Sequence, residues 1–525
     1  FACQTESQKQ EASEEYALGE INLKVTGNNE AQEYFEKGLL LLHSFEYKDA
    51  QEAFEKARKA DPDMGMAYWG EAMTYNHSLW REQDYEAARA ILEKWEEQKA
   101  SSKLSKLEQD FLKAVNILYQ KESPKEERDQ AYAKFMKELY EKYPKNQEVG
   151  AFYALSLLGS VPDGRDDQIF EQGALIAKGI MAENPQHPGA LHYLIHSYDD
   201  PGHAKLALEA ANNYSKVAPD AAHALHMPSH IYVALGMWEE VVTSNIRSYE
   251  ASLNRMKAKE LGNEGRSYHA YHWLEYGYLQ QGEQEKARKM LEAMQEYTQE
   301  NPSKYARTHL VYLKGTYLME SNDWESPLAD IEIEVSDLNV ATRAQYHFQN
   351  GMRAYQAGDA EALDAIIETL SEDYKKEELL VHSQDILLCS GTNRESASES
   401  NIKSAEAREW QLRALLAWLN KDEETAEKWL RKAVAREESL SYSYGPPRFQ
   451  KPTRELYAEW LLEHDQAKLA LEQYEFALKR GPKRRMALLG IKKAAEKLEN
   501  QEKVKEVERQ LEEIKPKKDH QLKEI

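Results

Sequence analysis

A repeat period of about 34 residues constrains this chain more than any other feature. Counted from Ala31, the residues Gly38, Ala50, Phe54, Ala57 and Pro62 fall at positions 8, 20, 24, 27 and 32 of such a unit. Small residues at 8, 20 and 27 let two helices of one unit approach closely, Phe54 fills the gap between them, and Pro62 ends the second helix. The period propagates: a unit from Pro188 has Ala207 at position 20 and Pro219 at position 32, and the next, from Ala222, has Tyr232, Gly236 and Val241 at 11, 15 and 20. A unit from Tyr268 puts Tyr278, Gly282 and Ala287 at those same three places, and later units are marked by Gly351 and Gly358, by Trp410, Ala426 and Ala433, and by Ala470, Tyr474, Ala477 and Pro482. Helix pairs of this kind bury their apolar faces only against neighbouring pairs, so the chain should stack into an all-α solenoid. Its 525 residues exceed what one core serves, and 24 Gly with 16 Pro are too few for an all-β chain.

The period and the small-residue positions resemble the tetratricopeptide repeat (TPR). That resemblance implies a right-handed superhelix whose concave groove is lined by positions 2, 5, 9, 12 and 13 of the first helix of each unit. Breaks in the period fall at 99–105, 251–267, 390–404 and 441–452, with the polar stretch 390–404 the best hinge. The expected organisation is a flexible tether over 1–28, N-terminal repeats over 29–185 and a His-rich centre over 186–300. Middle repeats over 301–400 and C-terminal repeats with a capping helix over 401–525 complete it, with a frayed tail after Ile514.

Charge and cysteine usage narrow the function. With 68 Lys plus Arg against 91 Asp plus Glu, the formal charge of -23 repels nucleic acid and anionic lipid. Two cysteines, Cys3 and Cys389, exclude a disulfide framework. The segment Phe-Ala-Cys3-Gln before a polar tract resembles a bacterial lipoprotein cleavage site, which predicts lipidation of Cys3, an envelope location and membrane attachment through that anchor alone.

Histidines carry the chemistry. Nine of the sixteen lie between His187 and His272. The pairs His192/His196 and His226/His230 are spaced for one helical face, and the second pair stands one full repeat after the first. His223 and His269 both occupy position 2 of their units, and His272 and Tyr276 follow on the same face as His269. The repeat resemblance turns all of these toward the groove. His43 and His77 form another column, both at position 13 of the first two units, and are expected on the opposite wall. Imidazoles from several helices suit a transition metal, Zn or Cu, with Asp199 as a further ligand or an orienting partner. The alternative is that the histidines simply make a polar, hydrogen-bonded groove lining or recognise an anionic ligand.

The stretches His43 to Trp80, His187 to Pro201 and His223 to Trp238 (HALHMPSHIYVALGMW), with the Pro-Pro loop of Tyr444 to Leu462, resemble a bacterial family of secreted TPR proteins with no agreed activity. Trp69 and Glu71 are candidate groove residues, and Arg448 beside the Pro-Pro loop is a candidate anion holder. No nucleophile elbow, phosphate loop or His-Glu-x-x-His helix occurs. Three functions remain in view: a binding module that captures a ligand or a protein or peptide partner around a metal, a metal-dependent hydrolase or oxidoreductase, and a subunit of an envelope complex.

Overall fold

The computed structural model describes residues 17–98, 103–121, 123–381 and 397–522. Cys3, Cys389 and residues 390–396 of the proposed hinge lie outside them, and the rest of that hinge leads into a helix that begins at Glu399. The described chain is an all-α solenoid of antiparallel helix pairs. The first pair is α1 (Asn29–His43) and α2 (Tyr47–Ala60), followed by α3 (Gly65–Met73) with α4 (Tyr85–Gln98), α5 (Lys106–Leu118) with α6 (Lys125–Lys142), and α7 (Gln147–Gly159) with α8 (Asp167–Glu183). The centre holds α9 (Pro188–Ser197), α10 (Leu208–Val217), α11 (Ala222–His226), α12 (Pro228–Leu235), α13 (Trp238–Ala258), α14 (Tyr268–Gln281) and α15 (Gln284–Glu300). Next come α16 (Lys304–Ser321), α17 (Val340–Gln356), α18 (Ala360–Val381), α19 (Glu399–Leu419) and α20 (Glu423–Glu438). The array ends with α21 (Thr453–Glu463), α22 (Ala467–Arg480), α23 (Arg485–Lys497) and α24 (Gln501–Glu513).

The repeat chemistry is visible in the first unit. A Cβ on Gly38 would meet the Phe54 ring at 2.8 Å and one on Gly70 would meet it at 2.3 Å, so the ring of α2 is clamped between the first helices of two successive units. This is why the period is written in glycine and alanine: each unit offers a large residue to a gap that only small residues leave open.

The solenoid curls until its ends touch its middle. At one end, Glu46 accepts the backbone N–H of His223 at 2.8 Å, Tyr214 donates to Ser44 at 3.1 Å, and Asp49 accepts from both Arg255 and Lys259. At the other end, Trp238 donates to the carbonyl of Lys483 at 3.1 Å and Gln280 accepts the backbone N–H of Arg485 at 2.8 Å. The groove is thereby enclosed, and the loop 441–452 is drawn into it.

Two expected loose ends are packed. Residues 17–28, assigned to the tether, run as a strap with Leu18 and Leu23 buried, tied down by Glu20 N–H to the Gln186 carbonyl (2.9 Å) and by Thr26 to Glu108 (2.6 and 2.8 Å). The tail after Ile514 folds back: Tyr278 donates to the His520 carbonyl at 3.1 Å, His520 meets Glu239 at 2.8 Å, and Leu522 is buried beside α14. Polar composition marked both segments as loose, but a few apolar residues with backbone bonding partners suffice to order them. The expected break at 251–267 is also smaller, because α13 runs on to Ala258.

Candidate metal centre

Six of the predicted histidines meet in the enclosed groove as two triads. The first is His192 and His196 from α9 with His223 from α11, and the second is His226 and His230, flanking Pro228, with His269 from α14. Local sequence explains the placement. Pro188 starts α9 at its first position, where no N–H is needed, and the His187 ring caps the helix by accepting the Ala190 N–H at 3.2 Å. Pro228 interrupts the hydrogen-bond ladder between α11 and α12, yet Met227 keeps helical angles (φ -53°, ψ -36°), so His226 and His230 stay on one face.

The Nδ1 atoms are held from outside, which fixes the tautomers. His192 Nδ1 donates to the His43 carbonyl at 2.7 Å. His226 Nδ1 donates to Asn245 Oδ1 at 2.7 Å, an amide whose Nδ2 is already committed to the Val241 carbonyl at 2.8 Å. His230 Nδ1 donates to Asp199 Oδ2 at 2.5 Å. All three partners accept only, so the Nδ1 atoms carry protons and the Nε2 atoms of His192, His226 and His230 face the centre. Those atoms converge: His226 Nε2 lies 3.1 Å from His230 Nε2 and 3.0 Å from His269 Nε2, and His192 Nε2 lies 3.1 Å from His196 Nε2. His269 can give one proton to His226. The 3.1 Å approach of His226 to His230 calls for a proton or a metal ion between them. Two more polar atoms at the centre, His223 Nε2 and Asp199 Oδ1, are buried without a hydrogen-bond partner.

Burial keeps four of the rings neutral. It lowers His192 to about 3 and holds His196, His223 and His226 well below the usual imidazole value, with neighbouring histidines adding to the effect. Aromatic rings close the centre from both sides. Phe45, in a left-handed turn (φ 55°), lies 4.3 Å from the His192 ring and stacks on His196 and His223, with Trp80 edge-on to His223. Trp273 covers the second triad at 4.7 Å from His226 and 4.5 Å from His230, and Tyr444 lies 4.9 Å from His230.

The other predicted site residues are placed elsewhere. His43 is fully buried between Glu148 (2.7 Å) and the Tyr193 hydroxyl (2.8 Å), so its side chain is a core staple and only its carbonyl reaches the triads. His77 stands in a short antiparallel hairpin, β1 (Asn76–His77) with β2 (Glu82–Gln83), and both ring nitrogens are engaged, by Glu82 and by the Thr74 carbonyl. Its repeat position lost meaning because α3 ends at Met73, before that position is reached. Trp69 is packed in the core against Phe111 and Phe152, and Glu71 is paired with Arg58 at 2.8 Å. His272 turns from the triads to Thr316 (2.9 Å), and Tyr276 accepts from Arg484 at 3.2 Å. Asp199 is at the centre, as described.

Arg448 lines a cavity of about 330 Å³ that reaches His196 and Asp199 and is also bordered by Arg81, Arg165, Tyr442 and Tyr444. Burial lowers the Arg448 guanidinium from its ordinary value, and the Asp163 carboxylate opposes that shift. Glu148, Asn245, Phe45 and Trp273 were missed from sequence, since none stands at a groove position of the histidine columns. Asn245 had one weak signal: an amide on the face of α13 that also carries Trp238, Val241, Val242 and Tyr249, a face it shares with several serines.

Two predictions arise here. The folded protein keeps His192 and His272 neutral down to about 3, whereas the unfolded chain protonates them near 6.5. Below 6.5 the unfolded state therefore binds more protons, so metal-free protein loses stability as pH falls from 6.5 toward 3, by about 1.4 kcal/mol per pH unit for each such histidine. His272→Gln, outside both triads, should flatten the fall in melting temperature between pH 6.5 and 5; an unchanged slope would refute this. Second, Gly445 has φ +85° and a Cβ there would meet the Trp273 indole at 2.2 Å. Gly445→Ala should displace that ring, read as a shift in tryptophan emission, at a cost of about 1–3 kcal/mol.

No family model matches the sequence, and no curated protein matches it. Among solved structures, the chain is similar to the APC/C hetero-tetramer Cut9–Hcn1, with 12% identity over 88% of this chain and 76% of that one, at a TM-score of 0.37. It is similar to yeast Tom70 at 12% identity, covering 90% of each chain with a TM-score of 0.32, and to the P58(IPK) TPR domain at 13% identity, covering 89% and 98% with a TM-score of 0.20. At these scores the likeness carries no argument about partners, and the helical-repeat assignment stands on the chain's own helices.

Proposed function

We propose that the chain is a binding module that holds a transition metal, Zn or Cu, at its enclosed histidine centre and presents it to a small ligand. One observation carries the reading: His226 Nε2 lies 3.1 Å from His230 Nε2 and 3.0 Å from His269 Nε2 at the enclosed centre. Imidazole nitrogens at that distance are held by a proton or a metal ion between them. Two imidazoles on one ion, with bonds of about 2.0–2.1 Å, place their nitrogens about 2.9–3.3 Å apart. All-nitrogen donors without a thiolate suit Zn or Cu. The cavity beside His196 and Arg448 suits a small anion. Elemental analysis of untagged protein, as purified and after loading with Zn or Cu, tests this. Stoichiometric, chelator-removable metal is expected; no metal under any loading condition would end the reading.

A second reading, a metal-dependent enzyme, is favoured by the three-ligand triads, since three protein ligands leave a coordination position for water or substrate and the cavity reaches the first triad at His196. Turnover of ester, peptide or phosphate substrates that is lost on chelation would select it over simple capture. The acidic surface as a docking face for a protein partner and anchoring at the bacterial envelope through Cys3 are further proposals. Cys3→Ser should move the expressed protein from the membrane fraction to the soluble one if the anchor is real.

A further inference from the structure

We infer that the centre holds two metal ions side by side, one on each triad. The inference rests on the metal-binding reading and deepens it. An ion with bonds of about 2.0–2.1 Å keeps all its ligand atoms within about 4.2 Å of one another. Within each triad the donor atoms lie within 4.8 Å of one another, close enough for small side-chain rotations to seat one ion; the two triads do not merge into a single group of that tightness among the described residues. One ion therefore cannot collect all six imidazoles.

The repeat explains why there are two sites. Each triad is built the same way: a pair on one face of the first helix of one unit, plus the histidine at position 2 of the next unit. His226 and His230 repeat His192 and His196 one unit later, and His269 repeats the role of His223. The solenoid has stacked one three-imidazole site on its copy.

The copies touch. The rings of His196 and His230 are 5.5 Å apart and those of His223 and His226 are 6.0 Å apart. Asp199 sits at the junction, grouped with His196 and His230, with Oδ2 on His230 Nδ1 and Oδ1 buried and unpartnered. A carboxylate at that point offsets positive charge shared by the two ions and faces the cavity lined by Arg448. Each ion would have three protein ligands, and the cavity reaches the first triad at His196 and the junction of the two at Asp199.

The test is a count on the full chain. Metal-free protein is loaded with Zn(II), and separately with Cu(I), desalted, and assayed for metal per chain, with helicity followed by circular dichroism. Two equivalents are expected in the wild type and one in each of His223→Gln and His269→Gln, which remove the less buried member of one triad each. One equivalent in the wild type overturns the inference and leaves the metal-binding reading standing; none overturns both. If a variant does not fold, the wild-type count alone decides.

Discussion

His226→Ala should strip the second triad of its metal. The ring is the hub of that triad, with Nε2 at 3.1 Å from His230 and 3.0 Å from His269, and a three-ligand site that loses its central donor keeps only two. The expected loss of affinity exceeds the roughly 10–100-fold that changing an orienting partner costs, which is itself the effect expected for Asn245→Ala. Stability should fall as well. The ring is 1% exposed, so its removal leaves a cavity under Trp273 and an unpaired Asn245 oxygen, together worth about 2–4 kcal/mol. The repeat pattern taken alone predicts unchanged stability, because groove positions of an open superhelix lie outside the inter-helix core. Closure of the groove turns them into core. Competition with a chelating dye measures the affinity and thermal melting the stability; undiminished affinity in His226→Ala would remove the second triad as a metal site.

That difference marks where the sequence stops being legible. The repeat period is local, each unit depends on contacts within itself and with its neighbour, and so Gly38, Phe54 and Pro62 announce the solenoid. The histidine faces are legible for the same reason, since one helical turn between the members of a pair and one repeat length between helices fix direction and register. His43 and Glu148 are different. They stand 105 residues apart, and nothing local to either announces that Glu148 sits between His43 and His187. His77 misled because the period was assumed to continue where α3 has already ended and a hairpin takes over. His272 shares its helix with His269, but the rotation between them is enough to turn it to α16 once the groove has curled. What closes the groove is a set of pairs far apart in the chain, such as Ser44 with Tyr214 and Gln280 with Arg485, and no repeat pattern encodes those.

Arg484→Met should loosen that closure and cost about 3–5 kcal/mol. Arg484 immediately precedes α23, and its guanidinium binds Glu320 of α16, Glu455 of α21 at 2.6 Å and the Tyr276 hydroxyl of α14 at 3.2 Å. The side chain is 2% exposed and the two carboxylates 3% and 1%, so without the cation two buried acids are left facing each other. Gln280 already donates to Glu320 at 3.0 Å and cannot neutralise it, while Glu275, fully buried close by with no hydrogen-bond partner, is pushed well up by burial and by Glu320. Removing one member of such a group is worse than removing the whole, because the cost lies in the uncompensated charge. Glu320→Gln with Glu455→Gln should therefore recover most of the stability lost in Arg484→Met. The metal centre reports the same event from the other side. The loop that lays Gly445 on Trp273 and Tyr444 on His230 lies between α20 and α21, and α21 is held to the centre through Glu455 and Arg484. Weakening that tie should speed metal release to a chelator in Arg484→Met and slow it again in the triple variant. If Arg484→Met melts and releases metal like the wild type, the closure does not depend on this charge cluster.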